Sequence, residues 1–83
     1  AVLYAEAAGA LGKLNAKTPE ALTLLEKLVA YDDEEVRGMA AEALGRVGSA
    51  ANAPLLRAAA RDEIFPWVKS RMEQAAAILD PKP

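Results

Sequence analysis

The sequence predicts an all-α protein, an α-solenoid of about five antiparallel helices, on three observations. Alanine, which has the best helix propensity, supplies 20 of the 83 residues. Pro, Gly and acidic residues divide the chain into apolar segments of helical period. One of those segments, Val36–Gly48, "VRGMAAEALGRVG", is echoed earlier in Leu3–Asn15, "LYAEAAGALGKLN", and later in Val68–Asp80, "VKSRMEQAAAILD". In a helical sequence, a fixed period of about 20–50 residues signals stacked helix pairs, because one pair cannot bury its apolar face alone.

The elements follow in order. The first helix runs over about Val2–Leu14. The second begins at Thr18-Pro19-Glu20 and runs to about Ala30. Thr18 is a natural N-cap, Pro19 suits the first turn, and Glu20 complements the helix dipole. Leu22, Leu25, Leu28 and Val29 give it one apolar face. Asp32 or Asp33 caps the third helix, whose stripe is Val36, Ala40, Ala43, Leu44 and Val47, with Gly48 expected as a left-handed C-cap. The fourth spans about Ala51–Arg61, with Leu55 and Leu56 packing inward. The fifth follows Asp62, with Phe65 expected to clamp its start as a hydrophobic staple. Its stripe is Val68, Met72, Ala75, Ala76 and Leu79, and Pro81 stops it. The whole is read as one domain, 1–83, of repeats at about 1–30, 31–61 and 62–80 with a tail at 81–83.

The echo is specific in its residues. In the earlier segment, Ala7-Ala8 stands where the central one has Ala40-Ala41, and Ala10-Leu11-Gly12 where it has Ala43-Leu44-Gly45. In the later segment, Val68-Lys69 answers Val36-Arg37, and Ala75 answers Ala43. The central unit, "DDEEVRGMAAEALGRVGSAANAPLLRAAARDE", resembles the short HEAT-like repeat, the form also called the phycobilisome-lyase-type repeat. The matching residues are Asp33, Val36, Arg37, Ala40, Ala41, Ala43, Leu44, Gly45, Gly48, Pro54, Leu56 and Asp62. The first unit lacks the Val-Arg pair and the last has a weakened core. The resemblance implies about two and a half repeats. It implies a first helix of each pair held on three sides, by its own partner and by the repeats before and after. It also implies an ion pair from Arg37 to Asp33 or to an acidic group in the next repeat, such as Asp62.

Composition excludes several chemistries. The chain has no Cys and no His, which removes disulfides, thiolate metal sites and the commonest general base. A net charge of −2 gives no electrostatic case for nucleic acid. No apolar run approaches the roughly 20 residues that span a bilayer, and no signal-peptide pattern is present; a cytoplasmic protein is expected. The run Asp32-Asp33-Glu34-Glu35 has none of the spacing of a calcium loop and reads as helix capping. Gly9-x-x-Gly12 and Gly45-x-x-Gly48 lack the strand and Lys-Ser/Thr of a phosphate loop. Arg57, Arg61, Lys69 and Arg71 form a basic cluster diluted by Asp62, Glu63 and Glu73. No Ser or Thr has a motif that would make it a nucleophile. No catalytic residue, cofactor or metal is expected.

What remains is binding. The resemblance implies that second helices line the concave face and carry recognition. The expected partner is a protein or peptide, through Thr23, Leu24, Lys27, Tyr31, Asn52, Arg57, Arg61 and Trp67. The fifth helix has a polar side, as a terminal cap should. The first carries only Glu6 and Lys13 as charges and is apolar nearly all round, which expects burial. Its outer side, read as Val2, Tyr4, Ala5 and Ala8, is expected to meet an upstream repeat or a second copy of the chain as a homodimer. The expected role is thus a non-catalytic interaction scaffold, either the C-terminal part of a longer solenoid or a small self-associating protein. The alternative that the resemblance implies is an accessory to bilin or cofactor attachment.

Overall fold

The computed structural model describes residues 2–81, so residues 82 and 83 of the expected tail lie outside the described residues. The described chain forms five α-helices: α1 (Val2–Lys13), α2 (Pro19–Val29), α3 (Glu34–Val47), α4 (Ala53–Asp62) and α5 (Pro66–Leu79). A single 3-10 turn, Ala50–Asn52, leads into α4.

The helix starts obey local chemistry. Thr18 Oγ1 accepts from Ala21 N at 3.2 Å, and Asp33 Oδ1 accepts from Glu35 N at 2.9 Å and Val36 N at 3.1 Å, so each side chain satisfies amides that the helix leaves open. The helix ends and rims depart from expectation. Gly48 has φ −79°, so it is no left-handed cap. It is small for want of space: a Cβ there would lie 2.7 Å from Leu44 O and 2.8 Å from Asn52 Oδ1. The left-handed residue is Asn15, φ 58°, just beyond α1. Phe65 occupies the N-cap position of α5, so the preceding residue that a staple needs is Ile64, and Ile64 is exposed. Leu55 points outward on the rim of α4, while Leu56 is fully buried.

The first helices form a row, α1–α3–α5, with α3 in the middle. The second helices pack one step along: α2 lies along α3, and α4 along α5. The third side of α3 is therefore closed by α2, the second helix of the preceding repeat, and not by its own partner α4. Val36, Ala40, Ala41, Ala43, Leu44 and Val47 of α3 are all buried, and they join Leu25, Leu28, Leu56, Val68 and Met72 in one core.

Small residues set the spacing of the row. A Cβ on Gly12 would stand 3.1 Å from both Cα and Cβ of Ala43; one on Gly45 would stand 3.2 Å from Ala75 Cβ and 3.3 Å from its Cα. The Gly of each Ala-Leu-Gly thus faces the Ala of the next repeat's first helix. This is why the motif repeats: the backbones approach too closely for a side chain on one of the two faces.

Candidate interaction surfaces

The turns at one end of the molecule are tied by a single guanidinium. Arg37 Nε donates to Glu63 Oε1 at 2.7 Å and Nη2 to Oε2 at 3.0 Å, while Nη1 donates to the carbonyl of Tyr31 at 2.9 Å. Glu63 Oε2 also accepts from Phe65 N at 3.1 Å. Of the two partners expected for Arg37, the acidic group of the next repeat is the one it reaches, and that group is Glu63 in place of Asp62; Asp33 is spent on capping α3. Nor is the pair a surface one, because the side chains are 15% and 2% exposed. Hydrogen bonding from Arg37 is the main cause holding the Glu63 carboxyl below its ordinary value; burial opposes it and the Phe65 amide assists.

One repeat earlier the same slot is filled differently. In the alignment of repeats, Arg37 and Glu63 correspond to Tyr4 and Tyr31. Those two rings meet edge to face, centroids 5.1 Å apart at 69°. Burial, and then the neighbouring Asp32, push the Tyr31 hydroxyl up from its ordinary value.

The residues expected to bind a partner fall into separate places. Thr23, Leu24 and Lys27 line a shallow depression of about 380 Å³ on α2 with Pro19 and Glu20. Arg57 and Arg61 line a groove of about 440 Å³ between α4 and α5, with Lys69 across it. Arg57 is already engaged there, donating to Asp80 O at 2.6 Å and Asp80 Oδ2 at 3.3 Å. Asn52 is corrected from exposed to buried: its Oδ1 accepts from Ser49 N at 2.9 Å and its Nδ2 donates to Glu26 at 2.8 Å. Trp67 lies on the far side, its ring over Gly38 and under Arg71, whose guanidinium carbon is 5.4 Å from the ring centroid. Arg71 thus leaves the basic cluster for Trp67 and Glu42.

On α1, Val2 and Tyr4 are exposed, but Ala5 and Ala8, expected on the same outer side, are buried. The small residues facing α3 are the ones at this inner edge. The outward row is Leu3, Ala7, Ala10 and Leu14. Sequence reasoning missed this row, although the alignment of Leu3–Asn15 with Val36–Gly48 points straight to it. It also missed Ile64, which with Val29, Ala30, Ala59 and Met72 lines an open groove of about 350 Å³ between α2 and α4.

Among the described residues no group of His, Cys, Asp or Glu is placed to hold a metal ion, and no helix is long and apolar enough to cross a membrane. Beside the helix row and the recurring Gly-on-Ala contact stands the comparison with known families, in which the model for HEAT repeats matches residues 1–77. The chain belongs to the HEAT-repeat family. No curated protein and no solved structure matches it. HEAT repeats are commonly protein-interaction scaffolds, and the family is generally non-catalytic.

Proposed function

We propose that this HEAT-repeat chain is a non-catalytic scaffold that holds a protein or peptide partner against its second-helix face. The observation that carries this is Leu24. It stands 41% exposed in the depression on α2, between Glu20 and Lys27 and away from the core. A large apolar side chain ringed by charges is how a protein-binding anchor is built. The grooves are shallow and open, which suits an extended segment better than a compact small molecule.

The test is to place a photo-crosslinking amino acid at Thr23, with the same label at Ser70 on α5 as a control, and to identify what each captures. A partner specific to the Thr23 label should bind at least tenfold more weakly, about 1.4 kcal/mol, to the Leu24→Asp variant. A partner whose affinity is unchanged by that substitution would place recognition elsewhere.

A further inference from the structure

The first helices are three versions of one element, and their surroundings differ in one respect. α3 has α1 along one edge and α2 along its inner side; α5 has α3 and α4 in the same places. Among the described residues α1 has neither neighbour from a preceding repeat.

The side chains at those places can be compared position by position. Val36, Ala40, Ala43 and Val47 of α3 are buried, with Val36 at 0% and Val47 at 2% exposure. Their counterparts in α5 are Val68, Met72, Ala75 and Leu79, of which the first three are buried and Leu79 packs partly against the core. Their counterparts in and just beyond α1 are Leu3, Ala7, Ala10 and Leu14. These keep the apolar character of the set, yet all four are exposed, Leu3 at 78% and Leu14 at 76%. The opposite end of the row is different in kind. There Ser70 and Glu73 stand at the positions of Gly38 and Ala41, beside an exposed Ala77 at that of Gly45, so a charge stands where the row has a buried alanine.

We propose that the outer face of α1 is the seat of a further helix pair of this repeat type, joined ahead of α1 and stacked in the register that α1 and α2 adopt on α3. In that register its first helix sets a glycine or alanine against Ala10, as Gly12 is set against Ala43 and Gly45 against Ala75. Its second helix covers Leu3, Ala7 and Leu14, as α2 lies along α3.

A second copy of the chain fits this face less well. Stacked head to tail, it would keep a small residue, Ala77, at the place of Gly12 and Gly45, but it would bury the charge of Glu73 where the row has Ala8 and Ala41, both at 0% exposure. Paired about a two-fold axis, it would offer α1 alone, a helix of 12 residues. That is a strip about 18 Å long and about 10 Å wide, on the order of a few hundred Å². A stable complex takes about 800 Å² from each partner. A pair tethered in the same chain is spared that requirement, because its effective concentration is high.

The experiment fuses a copy of residues 33–65 directly to Ala1, which keeps the step between repeats that separates Val36 from Val68. The extended chain should unfold in urea in one transition with a higher midpoint than the parent chain. Ala10→Arg should leave the midpoint of the parent chain in place, since Ala10 is exposed there, and should abolish most of the rise in the extended chain. An extended chain no more stable than its parent overturns the proposal, as does a rise that survives Ala10→Arg. Light scattering that shows the parent chain to be a dimer, dissociated by Ala10→Arg, assigns the face to a second copy and overturns it too. Leu24→Asp, which tests the second-helix face, should leave the rise intact, so the two readings fail separately.

Discussion

Arg37 and Glu63 show how one slot in a repeat tolerates unlike chemistry. The ion pair and the Tyr4–Tyr31 contact occupy equivalent positions, and what they share is reach across to the next turn. The ion pair is nearly dry on the acid side, so removing one partner strands the other. Glu63→Ala is expected to cost about 2–3 kcal/mol in a urea titration, somewhat under the loss for a fully buried pair because Arg37 keeps some solvent. The pH dependence follows from the direction of the shift. The folded carboxyl sits below its ordinary value, so its stabilisation is complete above about pH 4.3 and fades as pH falls through the lower, folded value. Glu63→Gln should remove that part of the acid sensitivity, read as a flatter unfolding midpoint on the acid side of that ordinary value. Gly38 makes a second residue-level prediction. A Cβ there would come within 2.6 Å of the ring of Trp67, a side chain 43% exposed and so with solvent to move into. Gly38→Ala should therefore move the emission of the only tryptophan to longer wavelength, with little loss of stability. The resemblance implied that Arg37 would pair, but not with which acid. Three acids stand near in the pattern, and only the path of the α4–α5 turn brings Glu63 to the guanidinium.

Helix starts were legible because a cap is a local device: Thr18 and Asp33 bond amides two or three residues away. Helix ends and rims were less so. Gly48 reads as a left-handed cap until Asn52 Oδ1 is seen folded against it, and Leu55 reads as core until the direction of α4 is fixed by α5. The apolar stripe of α3 was fully legible, since it lies in the middle of the row and every apolar position on it is used. The glycines at the helix edges turn this packing into a prediction. Gly45→Val would drive a branched side chain into Ala75 Cα at 3.3 Å, and a backbone cannot step aside as a side chain can. It should destabilise the protein by about 2 kcal/mol, measured by denaturant unfolding. Valine at Ala77 instead, which is exposed on α5, should cost only helix propensity, about half a kcal/mol.

The molecule as a whole is a short stack whose middle is firmest. α3 is enclosed on three sides, whereas α1 carries Leu3, Ala7, Ala10 and Leu14 to the surface. Hydrogen exchange should rank the amides accordingly, slowest in α3 and fastest in α1. Equal protection in the two helices would show that the outer face of α1 is covered in solution. The repeat architecture was legible in the sequence because it depends on spacing alone. The places where a partner could sit were not, because Asn52, Arg57 and Trp67 look alike as polar or aromatic letters and differ only in what they already touch. One tie has a consequence for how such a chain can lengthen. Arg37 grips the carbonyl of Tyr31 and the carboxylate of Glu63 together, so it measures one repeat against the next. A residue gained or lost within α4 would turn Glu63 by about 100° around the helix, out of its grasp. A helix of the same count closes the turn, and one of a different count leaves the arginine without its carboxylate. The ion pair is in that sense a gauge of the length of α4.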